Sequence, residues 1–403
     1  MHTPVKLDFN ERPYIAIWET TQACDLACVH CRACAQPLRR RDELSTEEAK
    51  RLIDEIAAME VPVFVLSGGD PLKRPDIYEL VEYASARGVH TSMTPSATPL
   101  LTEEALAGLK ERGLARLAVS LDGSTAEIHD AFRRVPGSYR RTLNAVQWAR
   151  KLGLPAQINT TMTRRNLGDF DAVLALLEKL DIVLWSVFFL VPTGRGSAED
   201  LLTAVEFEAV FEKLYAATKR VRFDIKTTEA QHYRRFLLQC RAEERRNGGT
   251  SGKASVPAAQ DFPAALGGDG IARAPRGLND AKGFVFISDV GEVYPSGFLP
   301  QSAGNIRRTP LSAIYRNSPL FRGLRDTTLL KGKCGMCEFK DICGGSRAHA
   351  YALTGDVMAE EPCCAYQPRR TADGSFPTSF SVVEHLPAGA TSDRPNEECR
   401  FGV

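Results

Sequence analysis

Between Tyr14 and Val191 the chain alternates short apolar runs with segments that carry the periodicity and end signals of helices. The runs are Tyr14–Trp18, Val63–Leu66, His90–Thr94, Ala115–Leu121, Ala156–Met162 and Ile182–Val191. Ser45-Thr-Glu-Glu48 reads as a capping box, and the helix behind it places Ala49, Leu52, Ile53 and Ile56 on one face. Pro75 opens a second helix that Gly88 closes; Thr102, Ser138 and Asn166 are expected to start three more. Helical crossovers of this length join parallel strands, not hairpins. The expected fold class is therefore α/β, a partial (β/α)6 barrel, in which functional loops gather at the C-terminal ends of the strands.

What stands at those ends is polar and thiol-rich. The first strand runs into Cys24-x3-Cys28-x2-Cys31, the second into Ser67-Gly68-Gly69-Asp70, the fourth into Ser120-Leu121-Asp122, and the sixth into Pro192-Thr193-Gly194. Three thiolates can hold three irons of a [4Fe–4S] cluster and leave the fourth iron open. A structural zinc site would instead require a fourth ligand. Cys34 is a fourth thiol nearby, read here as a bystander, because a closed site would leave the other loops without purpose.

Composition narrows the setting. Eleven cysteines behind an N-terminus without an apolar signal core point to metal or redox thiols and a cytoplasmic location. The longest apolar run, Ile182 to Pro192, is too short to cross a membrane. A net charge of +1 argues against a nucleic-acid surface, which needs concentrated positive charge. Arg39-Arg40-Arg41 and Arg133-Arg134 read as solvated faces.

Beyond the barrel, a helix is expected over about Val205–Lys219. Glu243–Arg276, rich in Gly, Ala, Arg and Pro, reads as a linker. A hairpin follows over Phe284–Tyr294, turning at Asp289-Val-Gly291, then a helical segment over Leu311–Leu324 and a second group of cysteines. The expected division is a barrel over 1–225, a linker over 226–282, a cysteine-bearing domain over 283–368 and a peripheral tail over 369–403.

The triplet, in the loop after the first strand and followed by these loops in order, resembles the signature of the radical S-adenosylmethionine (SAM) superfamily. That resemblance implies a [4Fe–4S] cluster on Cys24, Cys28 and Cys31, with SAM chelating the open iron. It also implies an external electron donor of the flavodoxin or ferredoxin type. Gly68, Gly69 and Asp70 match a Gly-Gly-Glu that accepts from the methionine ammonium, Asp70 having the shorter reach. By the same resemblance, Ser120 and Asp122 would meet ribose and carboxylate groups, and Arg141 the SAM carboxylate. Asn159, Thr161 and Leu190 to Gly194 would line ribose and adenine, with His30 flanking the adenine ring.

Cys334-x2-Cys337-x5-Cys343 followed by Cys363-Cys364 resembles the C-terminal SPASM or twitch domain of the same superfamily. It implies a second, auxiliary [4Fe–4S] cluster on Cys334, Cys337, Cys343 and either Cys363 or Cys364; a zinc ribbon is the alternative for these thiols. Cys240 reads as a lone buried thiol. Cys343-Gly-Gly-Ser-Arg-Ala-His-Ala-Tyr351, with Pro362-Cys363-Cys364, is similar to the subgroup that decarboxylates coproheme or modifies heme side chains. The implied substrate is a tetrapyrrole-type small molecule, with Arg195, Arg347 or His349 as carboxylate contacts; a ribosomally made peptide is the alternative. No nucleic-acid or membrane partner is expected.

Overall fold

The computed structural model describes residues 8–247 and 277–368. In chain order the barrel consists of β1 (Ile15–Glu19), α1 (Thr46–Ala58), β2 (Val63–Ser67), α2 (Ile77–Ala86), β3 (Thr91–Met93), α3 (Glu103–Glu111) and β4 (Arg116–Ser120). It continues through α4 (Ala126–Arg133), α5 (Ser138–Leu152), β5 (Ala156–Met162), α6 (Phe170–Leu177), β6 (Leu184–Phe189), α7 (Ala204–Thr218), β7 (Asp224–Thr228) and α8 (Tyr233–Arg246). The C-terminal part holds β8 (Phe284–Ile287), β9 (Glu292–Tyr294), β10 (Gly304–Asn305), α9 (Leu311–Asn317), α10 (Pro319–Arg325), α11 (Gly332–Met336) and α12 (Arg347–Thr354).

All described strands form one sheet in the order β10-β9-β8-β1-β2-β3-β4-β5-β6-β7. From β8 to β7 every neighbour is parallel, and the β8–β9–β10 meander is antiparallel. The α/β expectation holds, with the first six strands in their expected order. The capping box at Ser45 and Glu48 is formed, and Thr102 caps α3 through the Ala105 amide.

Four local readings are corrected. The expected linker starts too early, because β7 pairs with β6 from Leu184↔Asp224 to Phe188↔Thr228 and α8 packs behind it. Asp224-Ile-Lys-Thr-Thr228 has one aliphatic residue, since an edge strand buries little, and so its pattern is faint. The remainder of that linker, 248–276, and the tail from 369 lie outside the described residues. A further helix, α4, stands between β4 and α5. Ser138 is not a cap: Gly137 takes that place, and the Ser138 hydroxyl donates to Asp130 Oδ1 at 2.7 Å. Finally, the single helix expected over Leu311–Leu324 is broken at Ser318-Pro319 into α9 and α10.

The hairpin is not set apart from the barrel. β8 lies parallel to β1, register Ile15↔Phe284 to Trp18↔Ile287, so the C-terminal segment extends the sheet at the strand that carries the cysteine loop. The apolar side chains agree: Val285, Ile287, Val293, Tyr315 and Phe321 belong to the same buried cluster as Trp18, Leu66 and Phe189.

Candidate functional site

The loop after β1 is held from two sides, by the loops after β2 and β6. From the β2 loop, the Gly69 amide donates to Thr21 O and the Asp70 amide to Ala23 O, both at 2.7 Å. A Cβ on Gly68 would stand 2.5 Å from Thr21 O, and one on Gly69 would stand 2.4 Å from Ala23 O. Glycine is required there because the cysteine loop itself lies against these residues. From the β6 loop, the Arg195 amide donates to Cys31 O at 2.9 Å, and its side chain donates to Cys28 O (2.9 Å) and Ala35 O (3.3 Å). Arg195 is thus a clasp on the triplet loop, with Nη2 left without a partner.

Donors are aimed at the thiols. Leu26 N is 3.3 Å from Cys24 Sγ, Ala35 N is 3.4 Å from Cys31 Sγ, and Arg133 Nη1 is 3.5 Å from Cys28 Sγ. Cys24 is also 3.2 Å from the Ser96 hydroxyl. Burial pushes the Cys24 thiol up to about 11 and raises Cys28 as well, so these thiols hold their protons until a metal displaces them. Three donor-flanked thiols in one short loop, Cys24 and Cys28 buried and Cys31 half-buried, fit a cluster bound through three of its irons.

The three thiols open onto a cavity of about 200 Å³ at the C-terminal end of the sheet. His30, Gly68, Gly69, Ser120, Asn159, Thr161 and Leu190 line it, as the sequence suggests. The other predicted contacts, Asp70, Asp122 and Arg141, stand one layer behind. Asp70 is fully buried; its carboxylate accepts from Thr98 Oγ1 (2.7 Å), Leu72 N (3.2 Å) and Ser96 N (3.4 Å), and burial raises its pKa to about 6. Arg141 donates to Ala97 O at 2.8 Å from outside the wall. Asp122 accepts from Thr161 N at 2.8 Å and pairs with Arg133. Burial pushes the Asp122 carboxyl up, and the Arg133 guanidinium, with His30, His129 and the Thr161 amide, together more than offset it, leaving the group below its ordinary range.

Arg133 is the residue the sequence misread. It is buried, it lines the cavity, and it bridges Cys28 Sγ and Asp122. A basic pair on an unrecognised short helix gave no signal for this. His30 packs its ring 5.1 Å from Phe132, and burial lowers its pKa to about 4, so it is neutral.

The second cysteine group surrounds a smaller cavity lined by Cys334, Cys337, Cys343 and Cys364. Amides again point at sulfur, Glu361 N at 3.2 Å from Cys334 Sγ and Gly345 N at 3.4 Å from Cys343 Sγ. Burial pushes the Cys337, Cys343 and Cys364 thiols up to about 12. Cys363 faces elsewhere, toward His349 and Glu361, whose ligand atoms and its own lie within 4.8 Å of one another. Cys240 is half-buried on α8. Arg347 is not a substrate contact: it donates to Val357 O (2.9 Å) and Ala359 O (2.7 Å). His349 is likewise enclosed, 3.5 Å from Glu361 Oε1, with Nε2 2.8 Å from Leu190 O.

No helix among the described residues is long and apolar enough to cross a membrane. The profile of the Radical SAM superfamily matches residues 18–177. An AdoMet-dependent heme synthase of Methanosarcina barkeri is 41% identical, over 88% of this chain and 97% of its own length. A PqqA peptide cyclase of Rhodopseudomonas palustris is 30% identical over 88% of each chain. Among solved structures, Streptococcus suis SuiB bound to S-adenosylmethionine superposes with a TM-score of 0.64 at 15% identity, covering 88% of this chain and 78% of that one, a likeness of fold. With the cysteine loop, the cavity and full-length relatives in agreement, the chain belongs to the radical SAM superfamily, whose enzymes work with a [4Fe–4S] cluster and SAM.

Proposed function

We propose that this enzyme removes CO2 oxidatively from a propionate side chain of an iron tetrapyrrole. The observation that carries the reading is the 41% identity, along nearly the whole of its length, to a relative named as a heme synthase. Bound together, the cluster and SAM supply a carbon-centred radical able to take a hydrogen atom from an unactivated C–H bond. The overall change is R–CH2–CH2–COO⁻ to R–CH=CH2 plus CO2, one hydrogen atom and one electron. The hydrogen atom leaves on the deoxyadenosyl group, and the electron requires an acceptor.

The chain's own residues divide that work. Cys24, Cys28 and Cys31 hold the first cluster. Gly68 and Gly69 offer backbone, Ser120, Asn159 and Thr161 offer polar side chains, and Leu190 and His30 give flat or apolar walls for SAM. Asp70, Asp122 and Arg141 fix the loops that carry these groups. Cys334, Cys337, Cys343 and Cys364 would hold an auxiliary [4Fe–4S] cluster able to accept an electron, and a flavodoxin- or ferredoxin-type protein would supply reducing equivalents to the first. The apolar part of the wall, Phe188, Phe189, Leu190, Val191 and Phe298, would limit access of water to a reactive radical.

The test uses anaerobically reconstituted protein with SAM, a reductant and iron coproporphyrin. Deoxyadenosine together with a porphyrin that has lost CO2 and two hydrogens per converted side chain is expected, as is iron near eight per chain, four for each cluster. Deoxyadenosine without porphyrin binding or decarboxylation would sink the substrate reading. The 30% identity to a peptide cyclase favours a second reading, cross-linking of a ribosomal peptide; it predicts that a precursor peptide, and no porphyrin, raises deoxyadenosine formation.

A further inference from the structure

Among the buried N–H groups that have no partner, two stand at the cavity of the second cysteine group. His232, immediately before α8, is 1% exposed. Its ring is wedged between Phe207 and Phe211, with centroids 5.1 and 4.9 Å away. Neither ring nitrogen has a hydrogen-bond partner, although the residue lines the cavity that Cys334, Cys337, Cys343 and Cys364 enclose. Arg235 lines it too: its terminal nitrogens bind Glu208 and Gln239, the latter at 2.9 Å, while Nε is unpartnered.

Packing alone does not account for this pair. A slot between two phenylalanines is filled at lower cost by Leu or Phe than by an imidazole whose polar atoms are stripped of water. In either tautomer an imidazole carries at least one N–H. A donor in that position needs an acceptor inside the cavity. Four thiolates already complete the coordination of a [4Fe–4S] cluster, which leaves sulfur, and no open iron, to receive the proton's hydrogen bond.

We propose that His232, with Arg235 Nε–H beside it, donates a hydrogen bond to a sulfur of the auxiliary cluster and so raises its reduction potential; this rests on the auxiliary-cluster reading above. Reduction, [4Fe–4S]2+ plus one electron to [4Fe–4S]+, adds negative charge to the cluster, and donors at sulfur favour the more negative state. The electron is the one left on the substrate as CO2 departs. His232 is a positioning residue for potential and does not touch substrate.

The experiment uses the full chain with Cys24, Cys28 and Cys31 all changed to Ala, so that only the second cluster reports. His232→Phe and His232→Leu remove the N–H and fit an apolar slot, either serving if the other fails to fold; His232→Gln keeps an N–H. The midpoint potential is read by EPR redox titration, and exchangeable protons by ENDOR in D2O. In the Phe and Leu variants the midpoint should fall by on the order of tenfold in the reduction equilibrium, about 59 mV for one electron. One exchangeable coupling should disappear, and Gln should restore most of both. Four irons with an unchanged midpoint and coupling in the Phe or Leu variant would overturn the assignment. Loss of iron in both would make His232 a ligand, and would overturn it as well. A parent with His232 intact that binds no cluster would refute the auxiliary-cluster reading itself, through iron content and not potential.

Discussion

At the scale of single residues, the cysteine loop depends on groups that contribute no ligand. Gly194 has φ +59°, and a Cβ there would lie 2.3 Å from Arg32 O and 2.4 Å from Cys31 O. Gly194→Ala should therefore push the triplet off its position, and iron retained after gel filtration should fall toward that of a ligand variant. Cys28→Ala should abolish deoxyadenosine formation while Cys34→Ala leaves it; the reverse for Cys34 would overturn the ligand set. Arg133→Met strands Asp122, which is fully buried, without its partner. Breaking such a pair costs roughly 3–5 kcal/mol. The sign of the pH dependence follows. With Arg133, Asp122 has a depressed folded pKa and adds stability above the unfolded value. Without it, burial raises the folded pKa, so the variant should lose stability as pH rises from 4 to 7, seen as a widening gap in melting temperature from the parent.

At the scale of elements, the strongest sequence signals were those with both periodicity and chemistry. The capping box of α1 was legible from its end chemistry, β4 and β6 because a strand buried on both faces reads as a continuous hydrophobic stretch, and β2 and β5 from alternating burial. What escaped notice was set by tertiary contact. β7 owes its place to pairing along β6, and α4 to its packing on α5. The cap of α5 shows the same thing, since Asp130, seven residues upstream of the Gly137 amide, accepts from Gly137 N (2.6 Å), Ser138 Oγ (2.7 Å) and Tyr139 N (2.7 Å). Asp130→Ala should cost about 1–2 kcal/mol, in the range of a lost cap, and Ser138→Ala clearly less, measured by urea unfolding. The two adjacent cysteines could not be told apart by spacing, because a turn at Pro362-Cys363, closed by Cys364 N donating to Glu361 O at 3.3 Å, decides which side chain faces the cavity. Only the packing of Cys363 against His349 and Glu361 leaves Cys364 facing the cavity.

At the scale of the whole molecule, the seam between β1 and β8 brings charges from distant segments together. Asp289, just past β8, is 1% exposed and neither carboxylate oxygen has a hydrogen-bond partner. Burial, then the nearby Glu19, raise its pKa to about 7, against a lowering by Arg40. A raised folded pKa means the native state holds the proton more tightly, so this group's contribution is full below about 4 and is lost as pH climbs through about 7. Asp289→Asn should remove that loss, and its melting temperature should exceed the parent's at pH 8 by more than at pH 5. The sequence showed the barrel order and the two thiol groups. It did not show that they share one sheet, because strand pairing between residues 15–18 and 284–287 leaves no local pattern.

That pairing has a consequence in time. β1 acquires β2 as a neighbour soon after it is made, but its other edge waits for Phe284–Ile287. At synthesis rates of about 5–20 residues per second, the interval from Ser67 to Phe284 lasts roughly ten to forty seconds. Through it, the strand that feeds the cysteine loop presents unpaired amides and carbonyls on one side, the condition that invites pairing with another chain. The loop that must receive a cluster is translated well before Phe284–Ile287, yet the strand leading into it is closed in only by that later segment.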